Sequence, residues 1–200
     1  MTELRDALSQ IREIRARVAG SQTYRGYRVA PTAASAMLAL LTAFVQAGGG
    51  PVDIYSYVVI WGGCALLSIL LAGLAMLRHC TEEPSALKFA RTRDAIVRIA
   101  PSLIAGAVVT WVLIHSAPAL GHLLPGLWQI FFALGLISSA RLLPDGMHVI
   151  GGLYFVSGCF ALSLGPAALA PAVMGVPFVF GQAASAWVLF LNREARDVEE

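Results

Sequence analysis

IYSYVVIWGGCALLSILLAGLAML, residues 54–77, is a run of 24 residues without a charge, bounded by Asp53 on one side and Arg78 on the other. A helix of that length rises about 36 Å at 1.5 Å per residue, more than the roughly 30 Å of hydrocarbon in a bilayer. The stretch therefore predicts a membrane-crossing helix. Five further apolar runs, at 29–47, 99–114, 123–140, 148–164 and 168–191, repeat the pattern between Gly, Pro and charged punctuation. The third and fifth are the shortest. The whole chain of 200 residues is 58% hydrophobic and 13% charged, against about 25% charged in soluble proteins, and its mean hydropathy is +0.72. That balance excludes a disordered chain, a disulfide-stapled secreted module and a conventional cytosolic enzyme. The expected fold class is all-α: a polytopic membrane helical bundle of six transmembrane helices, preceded by an amphipathic cytoplasmic N-terminal helix.

The basic residues give the spans a direction, because Lys and Arg concentrate in cytoplasmic loops. Arg5, Arg12, Arg15, Arg17, Arg25 and Arg28 precede the first span; Arg78, Lys88, Arg91, Arg93 and Arg98 lie between the second and third. Arg141 separates the fourth from the fifth, and Arg193 and Arg196 follow the sixth. All fourteen fall on one side, and the opposite loops, 48–53, 115–122 and 165–167, hold no Lys or Arg. An odd number of crossings would destroy this partition. Both termini are expected in the cytoplasm, with the spans in the inner (plasma) membrane. Tyr24, Tyr27 and Trp187 mark one interface and Tyr55, Tyr57, Trp111 and Trp128 the other, where a ring can be half buried with its polar atom wet.

The chain divides into a basic segment at 1–28, a membrane domain at 29–191 and a tail at 192–200. No secretory signal is expected, since six arginines and no continuous apolar stretch precede the first span. An amphipathic helix opens at Thr2 and runs to Ala19: Leu4, Ala7, Ile11, Ile14 and Val18 fall three and four apart, with Arg5, Arg12, Glu13, Arg15 and Arg17 on the remaining faces. It can lie on anionic headgroups, pack on a second copy of the chain or dock a membrane or cytoplasmic partner. No nucleic-acid motif accompanies the basic residues. Between spans two and three, Ser85 is placed to cap a helix running into span three, with Pro101 at a kink or break. Cys64, Cys80 and Cys159 read as small apolar residues rather than disulfide partners.

No Asp, Glu, Lys, Arg or His lies in the middle of a span, which disfavours proton relays, voltage sensors and ion-coupled carriers. Gln129 and Gln182 are the strongest polar groups at depth. Counting inward from the span ends places Gln182 in the inner third, level with Ser35, Ser68, Ser102, Ser138, Ser139 and Tyr154, so that every span contributes to one polar layer. Two accounts compete for it. These groups are interhelical hydrogen bonds, aided by the small-residue pairs Ser102/Gly106, Gly135/Ser139 and Gly181/Ser185; or they line an inward-facing ligand cavity in which Gln182 orients the ligand. Pro171, Gly175 and Pro177 could break the sixth helix, a recurrent device at transporter sites.

Two histidine groups are weak candidates for metal or haem, His115 with His122 and His79 with Cys80 and His148. Neither has metal-binding spacing, and no cofactor is expected. Nucleophile-elbow, Walker-type and dinucleotide glycine motifs are absent as well. The sequence thus favours a non-enzymatic membrane protein that binds a partner protein or a lipid-like ligand, with a small passive transporter built on the Gln182 layer and a redox or metal-binding subunit as alternatives.

Overall fold

A computed structural model of the chain describes residues 29–50, 52–82, 86–139, 143–144 and 146–197. The amphipathic helix at 2–19, the Ser85 cap, Arg141 and the last three residues lie outside these, as do the side chains of His79 and Cys80.

All regular structure among the described residues is helical. The helices are α1 (Val29–Gly49), α2 (Ile54–Glu82), α3 (Ala86–Ser116), α4 (Leu124–Ser138), α5 (Met147–Ser163) and α6 (Pro171–Asp197). Short 3-10 turns, Pro118–Leu123 and Gly165–Leu169, precede α4 and α6. Five stretches are long and apolar enough to cross a membrane: Val29–Gly49, Ile54–Arg78, Ile96–Ser116, Pro118–Ser138 and Pro171–Asn192. The sixth helix, α5, is apolar but only 17 residues long.

Local chemistry sets the boundaries. Gly50, in the left-handed region at φ 81°, ends α1 without the steric cost of a Cβ. Asp53 opens α2: its carboxylate accepts from the Tyr55 and Ser56 backbone N–H at 3.0 and 3.3 Å and from the Ser56 hydroxyl at 2.6 Å. The Ser56 hydroxyl, then its N–H, holds the Asp53 carboxyl below its ordinary range. Pro171 stands at the start of α6, where its missing N–H costs nothing.

One expectation about breaks is corrected: α6 runs unbroken through Pro177. α3 runs without a break through Pro101, the residue expected at a kink or break, and joins the polar segment before it to span three. The interruption near α6 comes before it, where Gly165 at φ 57° and Pro166 start a 3-10 turn, so the helix begins at Pro171 rather than at 168.

Helices adjacent in sequence run antiparallel, and α6 closes back on α1. Gly175 faces Ala43, while Val29 packs beside Leu189 and Val188. The tightest interface joins α4 to α5: a Cβ on Gly126 would stand 2.7 Å from the Gly158 carbonyl oxygen, and one on Gly158 would stand 2.8 Å from the Gly126 oxygen. Bare backbones meet there, as the packing of small residues allows. α3 packs on α4 where Gly135 meets Ile99 and Ser102, and α5 packs on α6 where Gly181 meets the Tyr154 ring. The six helices thus form a ring in chain order. One junction stays loose, because α2 and α3 barely touch.

Candidate functional site

The loose junction opens a cleft of about 530 Å³. Its sides are α2 and α3, and its back is made by inward-facing residues of α1, α4 and α6. Trp61, Trp128, Phe131, Phe132, Met174 and Phe178 form most of the apolar wall. The aromatic floor is held by contacts behind it. Phe132 and Phe178 have centroids 5.5 Å apart, and both pack on Tyr154, at 4.9 and 5.1 Å. Trp128 donates its indole N–H to Thr110 Oγ1 at 2.7 Å, and Trp61 donates to Gln46 Oε1 at 2.7 Å. Gln46 in turn donates to the Leu169 carbonyl at 2.7 Å, fixing α1, α2 and the turn before α6 together.

The polar groups of the cleft are grouped by depth. Ser35, Ser68 and Ser102 each lie fourteen residues from the helix end beside the 3-10 turns, about 21 Å along their axes, and Gln182 lies about 16 Å along α6. Gln182 is therefore at the midpoint of the Pro171–Asn192 stretch rather than in its inner third. All four line the cleft. Ser35 is committed to the Pro31 carbonyl at 3.0 Å. Behind Gln182 lies the Tyr154 hydroxyl, 1% exposed; it sits beside the amide but without the alignment of a hydrogen bond. Among the described residues the walls carry no Asp, Glu, Lys or Arg, and the lining histidine, His115, is at the end beside the turns.

The remaining members of the expected layer lie elsewhere. Ser138 Oγ donates to the Arg98 carbonyl at 3.2 Å and to the Gly135 carbonyl at 3.0 Å, tying α4 to α3. Ser139 is fully buried at the end of α4, its hydroxyl unpartnered among the described residues. The layer therefore separates into a cleft group and a packing group.

Gln129 belongs wholly to packing. It is fully buried, donates to the Val173 carbonyl at 2.9 Å and accepts from the Ser157 hydroxyl at 2.6 Å, joining α4, α5 and α6. Two aromatic residues read as interfacial markers also turn inward. Tyr57 is fully buried and stacks on Trp128, 6.1 Å between centroids, whereas Tyr55 and Trp111 do face outward, 57% and 63% exposed. Facing direction, not level along the helix, distinguishes the pairs, so a one-dimensional reading assigns all four to the interface. The same limit hid the aromatic wall: Trp61, Phe131, Phe132 and Phe178 are ordinary apolar residues until their helices are rotated against one another.

The expected group of His79, Cys80 and His148 lies partly outside the described residues. His115 Nδ1 lies 2.8 Å from the Trp111 carbonyl and His122 Nδ1 lies 3.0 Å from the Ala119 carbonyl, so each ring is fixed to its own local backbone. Among the described residues no three His, Cys, Asp or Glu side chains come together as a metal site. His148 is exposed at the start of α5. No protein-family model, curated protein or solved structure matches the chain.

Proposed function

We propose that this chain is a non-enzymatic integral protein of the inner (plasma) membrane, with six spans and cytoplasmic termini, that holds a lipid-like ligand in the cleft between α2 and α3. The observation carrying this reading is the direction in which the cleft opens. Its back is sealed by the ring, and its open side is the loose seam between two helices whose outward faces are apolar: Val59, Leu66, Leu70, Ile104 and Val108 are all more than half exposed. A ligand entering there comes from the hydrocarbon of the bilayer rather than from water. The walls match such a ligand, being aromatic and aliphatic with a few polar groups at one end.

The same walls weigh against the passive-transporter reading. A polar solute needs a polar path, and the region between Trp128 and Phe178 offers only the Thr110 hydroxyl, which is engaged with the Trp128 indole and the Gly106 carbonyl. The orientation rests on the confinement of Lys and Arg to the ends opposite the 3-10 turns. The segment at 2–19, which lies outside the described residues and whose sequence spacing predicts an amphipathic helix, is the proposed cytoplasmic surface for a second copy or a protein partner.

Photo-crosslinking with an acyl chain carrying a mid-chain diazirine tests the site. Labelling should concentrate on the cleft-lining residues of α2 and α3. Ala107→Trp, which fills the cleft from an exposed position on α3, should remove most of that labelling without lowering the unfolding temperature. Labelling spread evenly over outward faces and indifferent to Ala107→Trp would sink the proposal.

A further inference from the structure

We infer that the occupant of the seam cleft is a lipid chain with an uncharged hydrogen-bonding head, a hydroxyl or a carbonyl, seated against Gln182 with the chain running toward Trp111. The inference rests on the reading of the cleft as a lipid-chain site and adds the class and direction of the ligand.

Length fits a chain. The α3 wall extends from Ser102 to His115, about 20 Å at 1.5 Å per residue, so a hydrocarbon chain can lie extended along the helix axes.

Polarity sets the direction. From Trp128 to Phe178 the polar side chain on the wall is Thr110, whose hydroxyl is already committed to the Trp128 indole and the Gly106 carbonyl, and Gln182, Ser68 and Ser102 gather at the deep end. No hydrogen bond to another described residue fixes Ser68 or Ser102. The Gln182 amide both donates and accepts, and with the Ser68 and Ser102 hydroxyls beside it favours a ligand atom that completes these groups.

Depth sets the charge. Gln182 is at the centre of its span, and no Asp, Glu, Lys or Arg among the described residues lines the cleft to neutralise an ion there. A carboxylate or phosphate held at that depth would lose its hydration without compensation. A hydroxyl or carbonyl needs only the amide and the serines.

The tryptophans provide the assay. Trp61 and Trp128 line the interior of the cleft, whereas Trp111 stands at its mouth, 63% exposed, and Trp187 is exposed on an outward face, so that both of these would also report bulk lipid. In full-length protein carrying Trp111→Phe and Trp187→Phe, reconstituted in nanodiscs, bromine on a bound chain quenches the two remaining indoles. Three probes share one dibrominated C18 chain: the alcohol, the carboxylate at alkaline pH and the headless alkane. The alcohol should quench saturably and bind about tenfold more tightly than the other two, the loss expected for one good hydrogen bond. Gln182→Leu should reduce the alcohol to the affinity of the alkane, and Ser102→Val should weaken it less. Equal affinity for alcohol and alkane, or preference for the carboxylate with its head at the His115 end, overturns the inference and leaves the chain site intact. Saturable quenching by none of the three overturns the chain site itself. The three-probe comparison needs no change at Gln182, so it stands even if that variant does not fold.

Discussion

The α4–α5 interface and the α2–α3 seam are built from similar sequence material and differ in what glycine does there. Gly126 and Gly158 bring two backbones into contact, leaving no room for a methyl group. In α2, Gly62, Gly63 and Gly73 would each meet nothing within 4 Å of an added Cβ. The first interface is closed by shape; the second is left open. Close packing and interhelical hydrogen bonds are the forces available between helices in lipid, since apolar side chains gain little by leaving one hydrocarbon for another. The seam has neither, and that lack of attraction keeps the cleft accessible.

The contrast is sharpest at the glycines, where opposite signs are expected. Gly126→Ala should destabilise the protein by about 3 kcal/mol, the upper part of the usual overpacking range, because the obstruction is a carbonyl oxygen that cannot rotate away. Gly62→Ala should instead raise stability by about 0.5–1 kcal/mol through helix propensity alone. Thermal unfolding of both variants in the same detergent checks the pair. A destabilised Gly62→Ala would mean that the seam is closed.

The two glutamines extend the contrast at smaller amplitude. Gln129→Leu removes the bonds to the Val173 carbonyl and from the Ser157 hydroxyl, which keeps the Tyr154 carbonyl as acceptor, for a loss of about 1–2 kcal/mol. Gln182→Leu should stay within about 0.5 kcal/mol of the wild type, because no aligned bond is lost. Equal losses would make the deep end of the cleft packing rather than a binding end.

The smallest effect lies at the start of α2. The Asp53 carboxyl is held below its ordinary range by the Ser56 hydroxyl and N–H. Its contribution is therefore fully present above the ordinary aspartate range and is lost as pH falls through the lowered value in the folded state. Asp53→Ala should lower the unfolding temperature slightly at neutral pH, and the difference from wild type should vanish in strong acid. A difference that persists there would show that Asp53 acts through something other than its charge.

Much of the fold was legible in residues 54–77 and their counterparts. The six helices fall where the apolar runs lie, and α5, expected to be among the shortest, is the one too short to count as a crossing by length. The prolines were less legible: Pro101 and Pro177 are accommodated inside continuous helices, as happens where the helix ladder is otherwise intact. Ser35, Ser68, Ser102 and Gln182 could be placed at related depths by counting residues, because rise per residue is fixed. Counting could not separate them from Ser138, Ser139 and Tyr154, nor find Gln46 holding Trp61, because those differences lie in rotation about each helix axis.

The sequence by itself determined that the chain is helical and where along it the apolar helices lie. These are properties of single segments, set by apolar length, backbone hydrogen bonding and charge. Tertiary structure alone decided that α4 meets α5 at Gly126 and Gly158, that Gln129 is packing while Gln182 faces a cleft, and that α2 and α3 stay apart. Those outcomes depend on which small residues of distant segments meet, and a contact between two helices is a property of neither helix alone.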